Sequence, residues 1–192
     1  MITRGEIVRS LQAAWELFLD RPQAVRQFDA SYGGFWRSFQ AIVLIAPAYA
    51  LTILDAMAED GLDEPAFMAA KWLTLALDWI ALPLLLAGLA GFLDIKRGYM
   101  AYIVARNWSS VLAVLPFAAI SLLSLIGLID ARLLFLPSII ALAVALRFSY
   151  QIARRALGVA VHAAIGFVAL DFLVSLGVAM LVGRLFGVAV PI

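Results

Sequence analysis

Cysteine is absent from the 192 residues, histidine occurs once, and only 14% of the chain is charged. Without cysteine there is no disulfide framework, thiolate nucleophile or thiolate metal site. The lone histidine, His162, has no clustered carboxylates beside it and cannot complete a metal site of ordinary spacing. It reads as a satisfied or interfacial side chain rather than a pH sensor. A formal net charge of +1 with no basic patch gives nothing for nucleic acid to bind. Walker, nucleophile-elbow, zinc-binding H-E-x-x-H and dinucleotide signatures are missing. Ser109, Ser110, Ser121 and Ser124 have no histidine at a useful spacing. The expectation is therefore a protein that is not an enzyme and carries no cofactor. Arg4, Glu6, Arg9, Glu16 and Asp20 interrupt the first residues, so no cleaved secretory leader is expected, and the run after Arg184 has no lipidation box. Lysine is scarce as well, two against twelve arginines, in an alanine-rich composition of the kind that GC-rich bacterial genomes produce.

What is abundant is apolar surface. Hydrophobic residues make up 65% of the chain, whereas soluble domains hold about 45–50%, so so few charges could not cover the outside of a soluble fold. Lipid has to do part of the covering. A membrane-crossing helix needs about 20 mostly apolar residues. Five segments approach or exceed that length, near 39–57, 70–93, 103–129, 133–150 and 159–185. The fold expected is an all-α polytopic bundle of about five transmembrane helices. It is preceded by a segment, 1–38, distinct from the five-span domain at 39–192. A polar turn at 59–65 ends in Pro65, which suits the start of the next helix. A basic turn holds Asp94, Lys96, Arg97 and Gly98, and the connection at 130–132 is short enough to make spans three and four an antiparallel hairpin.

With the N-terminus in the cytoplasm, eleven basic residues (Arg4, Arg9, Arg21, Arg26, Arg37, Lys96, Arg97, Arg106, Arg147, Arg154 and Arg155) fall inside. Only Lys71, Arg132 and Arg184 fall outside. That bias predicts N-in and C-out in a bacterial cytoplasmic membrane. In the N-terminal segment Ile7, Leu11, Ala14, Trp15 and Phe18 recur at helical spacing opposite Arg9 and Glu16. This predicts an amphipathic helix lying either in the interface or against the inner ends of the bundle. Phe28, Tyr32, Phe35, Trp36 and Phe39 follow, and anchoring in the headgroup belt accounts for these rings without a ligand.

Asp78 and Asp171 are the sharpest features. A charged aspartate at mid-membrane costs about 2.5–3.5 kcal/mol on insertion scales, so neither should face lipid. Each is a candidate proton-relay or substrate-contacting group, or a neutral acid hydrogen-bonding a neighbouring helix. Asp78 is seven residues from Lys71 and Asp171 thirteen from Arg184, a depth difference of about 9 Å that argues against a direct carboxylate pair. Arg106 and Arg147 read as snorkelling to the inner headgroups. Pro47, Pro83, Pro116 and Pro137 place one proline in each of the first four spans as candidate hinges, freeing the carbonyls of Val43, Trp79, Leu112 and Leu133. Neighbouring helices re-satisfy such carbonyls, so the prolines favour irregular packing over transport. Gly88, Gly91, Gly158, Gly166, Gly177 and Gly183 offer small faces for close helix packing. Asn107-Trp108-Ser109 matches a glycosylation acceptor but falls on the cytoplasmic side.

The layout from Gln40 onward, together with Gly98-Tyr99-Met100-Ala101-Tyr102, Asn107-Trp108 and Arg154-Arg155-Ala156-Leu157-Gly158-Val159, resembles the Yip-type family of five-span membrane proteins. The resemblance implies a cytoplasmic N-terminal segment, five spans and a very short outer C-terminus. Eukaryotic members of that family act in vesicle traffic with small GTPases. It transfers no functional residue to this chain. Two functions follow from the sequence. The favoured one is a non-enzymatic scaffold or accessory protein that binds the bilayer and other membrane proteins, or copies of itself. The alternative is a small proton-coupled transporter or channel using the intramembrane aspartates, although no internal repeat supports a repeat-built transporter.

Overall fold

The computed structural model describes residues 2–60, 65–130 and 133–188. The protein is 83% helical, with no strand among the described residues. Five helical stretches are long and apolar enough to cross a membrane: Tyr32–Ala58, Pro65–Leu89, Tyr99–Leu125, Phe135–Ala156 and Val161–Phe186. The all-α bundle expected from the hydropathy pattern is therefore present, and it fits an integral membrane protein. In chain order the helices are α1 (Arg4–Phe18), α2 (Tyr32–Ser38), α3 (Ile42–Asp60), α4 (Pro65–Leu89), α5 (Tyr99–Ala113), α6 (Leu115–Leu125), α7 (Phe135–Ala156) and α8 (Val161–Phe186). The heart of the 59–65 turn, the tip of the 130–132 connection and the end of the C-terminal run lie outside the described residues.

The first span begins earlier than hydropathy alone indicates. The chain stays helical from Tyr32 through α2, a 3-10 turn at Phe39–Ala41 and α3. Ser31 caps this start by accepting a hydrogen bond from the Gly34 N–H at 3.1 Å. The third span, Tyr99–Leu125, runs as α5 and α6 with Val114 between them; the Val114 backbone stays in the right-handed helical region, and Pro116, at the first positions of α6, takes one N–H out of the ladder. Pro47 and Pro83 lie inside α3 and α4, as expected of interior prolines. Pro137 differs. It falls in the first turn of α7, which starts at Phe135, so no intrahelical bond is lost there.

Successive spans alternate in direction, so α1, the start of α2, the 90–98 turn and the 157–160 turn gather at one end. This capped end is densely packed. Helix α1 lies against α5 and α7, and Ala13, Ala14 and Leu17 are fully buried. The buried face of α1 is Glu6, Ser10, Ala13, Ala14 and Leu17, one position round from the apolar stripe read in the sequence. Two causes are visible. Small alanines let α1 approach α5 closely, and Arg37 draws Glu6 inward through Nε, 2.9 Å from both carboxylate oxygens. The other face leaves Val8, Trp15 and Leu19 exposed. Arg37 also donates to Asp29 at 2.6 Å, and hydrogen bonds from Ser31 hold the Asp29 carboxyl below its usual range.

The aromatic cluster divides between core and surface. Phe28 and Phe35 belong to the core, with Phe35 packed on Phe39 and Tyr99, whereas Tyr32 and Trp36 are exposed in the manner of belt residues. The glycines also depart from expectation. A Cβ on Gly88, Gly158, Gly166 or Gly177 would meet nothing within 4 Å, so these are not close-packing sites. The close approaches are at Gly98, where a Cβ would lie 2.9 Å from the Ala156 carbonyl, and at Gly34, where it would lie 2.0 Å from the Asp29 carbonyl. Gly34→Ala should accordingly displace the Asp29 loop and cost about 1–3 kcal/mol by overpacking. Gly88→Ala should be neutral or slightly stabilising, as expected of glycine removed from a helix interior. Thermal unfolding of the two variants in detergent checks the contrast.

Candidate functional site: an ion triad inside the bundle

Three helices converge on one buried cluster. Arg106 of α5, only 9% exposed, donates from Nη2 to Asp171 Oδ1 of α8 at 2.8 Å. The same nitrogen stands 3.8 Å from Asp78 Oδ2 of α4. Ser175, one turn beyond Asp171 on α8, donates its hydroxyl to Asp78 Oδ1 at 2.6 Å. Arg106 Nε has no hydrogen-bond partner among the described residues. With both carboxylates ionised the triad carries one net negative charge. Asp171 holds the closer contact with the guanidinium, while Asp78 relies on a hydroxyl donor and a longer charge contact.

The two aspartates therefore share a partner that their sequence spacing concealed. Measured from the capped end, Asp78 lies 11 residues from Leu89 (89 − 78) and Asp171 lies 10 from Val161 (171 − 161). Both are thus at a depth of roughly 15–17 Å. The 9 Å difference inferred from Lys71 and Arg184 arose because those cations do not mark equal depths. Lys71 is six residues inside α4, and Arg184 is two from the end of α8. Arg106 does not snorkel, since its guanidinium turns into the bundle. Arg147 behaves closer to expectation, exposed at the capped end and donating to the Phe18 carbonyl at 3.2 Å.

The remaining candidates are placed apart from the triad. His162 is exposed at the first turn of α8. Asn107 is fully buried and donates to the Ser38 hydroxyl at 3.0 Å, so the Asn-Trp-Ser sequence is a packing element. Of the prolines, Pro116 stands nearest the site, since its neighbours Val114 and Phe117 line the same cavities as Asp78. Pro83 acts at the capped end, where its own carbonyl accepts from the Tyr99 hydroxyl at 2.9 Å.

Two cavities meet at Asp78. One, about 400 Å³, opens among α3, α4, α6 and α8 and is lined by Tyr49, Thr52, Lys71, Thr74, Asp78 and Ser175. The other, about 360 Å³, lies on the α5–α7–α8 side and is lined by Arg106, Ser149 and Asp171 among others. Asp78, Ser175, Val114 and Phe117 border both. Packing explains the first cavity. In the half away from the cap α3 runs along α6 and α4 along α8, while α3 and α4 touch at few positions. The half toward the cap is closed, with residues 102–109 of α5 all buried. Sequence reasoning missed Arg106 as a partner, along with Ser175, Tyr49 and Thr74. Helical spacing held a usable signal: Lys71, Thr74 and Asp78 share one face of α4, and Asp171 and Ser175 one face of α8.

No family model, curated protein or solved structure matches the chain.

Removing one partner from a buried ionic group leaves the others uncompensated, at a cost of about 3–5 kcal/mol. Arg106→Met should therefore lower stability by about that amount. Asp78→Asn, which keeps an acceptor for Ser175, should cost less than Asp171→Asn. Combining Arg106→Met with both Asp→Asn changes should recover much of the loss. Unfolding midpoints of the four variants in one detergent test this order.

Proposed function

We propose that this chain is a small proton-linked membrane transport protein in which Asp78 is the exchangeable proton site. The observation that carries this reading is the meeting of two cavities at a carboxylate that belongs to a triad with one cation and two acids. An uncompensated negative charge inside a bilayer is expensive, and a proton on the more weakly held acid removes it. Asp171 and Arg106 then form the permanent pair, and Asp78, reached from the larger cavity, gains and loses the proton.

The charge distribution supports an N-in orientation in a bacterial cytoplasmic membrane. Setting aside Arg106, which serves the triad, still leaves ten basic residues at the capped end, against Lys71 and Arg184 at the other among the described residues. In this orientation the larger cavity faces outward and the packed cap closes the cytoplasmic side.

One observation favours the other reading, a non-enzymatic accessory or scaffold protein of Yip-type layout. Trp15, Tyr32 and Trp36 expose rings at the capped end, where a membrane partner or headgroups would meet them. The two readings differ in what the triad does. Infrared difference spectroscopy on reconstituted protein should show a protonated carboxyl band at neutral pH that disappears in Asp78→Asn and persists in Asp171→Asn. In vesicles with an imposed pH gradient, wild type should dissipate the gradient when a transported solute is supplied, and folded Asp78→Asn should not. Lack of the band in wild type, or equal dissipation by the variant, would count against the proton site. A near-stoichiometric membrane partner on co-purification would then favour the accessory reading.

A further inference from the structure

Arg147 of α7 is a cation without an acid, and it stands between two apolar grooves. Arg21, Arg37, Arg106 and Arg155 each form a salt bridge, whereas Arg147 forms none among the described residues. Its side chain is exposed. One Nη donates to the Phe18 carbonyl at 3.2 Å, and the guanidinium lies 5.7 Å from the Phe18 ring centroid. Beyond Phe18 and Gln151 its N–H groups have no partner among the described residues.

The first groove is a cleft of about 340 Å³ between α6 and α7, walled by Leu115, Ala119, Val144 and Phe148 and closed toward α1 by Trp15 and Phe18. Every residue lining it is apolar, and it exists because α6 and α7 touch at few positions. The second, about 420 Å³, is an open groove between α7 and α8. Leu146, Val161, Ile165 and Val168 line it, with Arg147 and Tyr150. Around α7, Val144 and Phe148 turn to one side of Arg147, and Leu146 and Tyr150 to the other, all within about 100°. Arg147 is thus the ridge between the grooves, lining one and resting on the Phe18 ring of the other.

From this arrangement we infer that Arg147 is the headgroup site for one anionic phospholipid that straddles α7, with a tail in each groove. One phosphate bearing two apolar chains matches one guanidinium flanked by two apolar grooves. The guanidinium fork suits phosphate oxygens, and Tyr150, one turn further along α7, brings a hydroxyl to the same groove. A net negative headgroup neutralises Arg147, whereas the ammonium of a zwitterionic one adds a like charge beside it. The helices that wall both grooves belong to stretches apolar enough to cross a membrane, so tails are at hand. A protein partner would have to bring its own carboxylate to Arg147, at the cost such a group carries in lipid. The grooves also border the smaller cavity of the triad, one through Ala113 and Ala145 and the other through Leu146 and Val168. Lipid tails there complete its walls.

The test is native mass spectrometry of the full chain, titrated with phosphatidylglycerol and phosphatidylcholine carrying identical chains. One phosphatidylglycerol per chain should bind first, about fivefold more tightly than phosphatidylcholine, as one arginine near an anionic headgroup warrants. Arg147→Gln should abolish this preference and Arg147→Lys should keep most of it. Arg97→Gln, which removes another exposed basic residue at the capped end, should leave it unchanged and so separates a site from general surface charge. Ala119→Phe, which fills the cleft, should weaken binding of both lipids. Phosphatidylglycerol brominated along its chains should quench a component of tryptophan fluorescence that Trp15→Phe removes. Equal affinity for the two lipids, a preference that survives Arg147→Gln or falls equally in Arg97→Gln, or a dimer that excludes lipid from the grooves overturns the inference. The wild-type comparison of the two lipids needs no variant and decides alone if Arg147→Gln does not fold.

Discussion

A guanidinium cannot be left alone in a medium that solvates ions poorly, and the placement of Arg106 governs much of this bundle. It sits on a largely buried stretch of α5, only 9% exposed, and it is always charged. Once there, it requires carboxylates from other helices. Asp171 and Asp78 supply them from α8 and α4, so the triad fixes the rotation of three helices about their axes as well as their depth. A one-residue register slip of α8 would rotate Asp171 by about 100° and carry it away from the guanidinium. Apolar helix faces in lipid tolerate such slips, because lipid tails are as apolar as the side chains they replace. Polar specificity is what a membrane bundle of this composition otherwise lacks.

The same constraint separates the two halves of the molecule. Toward the cap, α1, α2, α5 and α7 pack with small residues and rings, and two further ion clusters, Glu6–Arg37–Asp29 and Asp20–Arg155, tie the N-terminal segment down. Away from the cap, the packing resolves into the pairs α3–α6 and α4–α8. The joint between α5 and α6 in the third span marks the boundary. Helix α5 belongs to the closed half and α6 to the open one, with Pro116 just beyond the joint.

Much of this architecture was legible in the residues. Apolar run length located all five spans to within a few positions at most ends, since crossing distance is set by the bilayer and not by the protein. The start of the first span was misplaced because Arg37 and Ser38 look like solvent-facing residues, whereas their polarity is satisfied inside by Glu6 and by Asn107 and the Phe35 carbonyl. The importance of Asp78 and Asp171 was evident, because an intramembrane carboxylate is conspicuous in any sequence. Their partnership was not. Depth along a helix can be read only from its true ends, and Lys71 proved a poor landmark because it belongs to the cavity. Arg106 was hidden by its neighbourhood, for a charge seven residues inside a span ordinarily escapes to the interface.

The 65 residues separating Arg106 from Asp171 also bear on how the protein is made. Chains enter the bilayer from the N-terminus onward, so α5 arrives with its arginine while α8 is still being synthesised. Asp78 is the triad acid already available at that moment, and its pairing with Arg106 allows the third span to reside in the membrane. When α8 emerges, Asp171 takes the closer position and Asp78 is left with Ser175 and the longer contact. On this order of assembly, the carboxylate with the longer contact in the finished protein is the one that first meets the arginine.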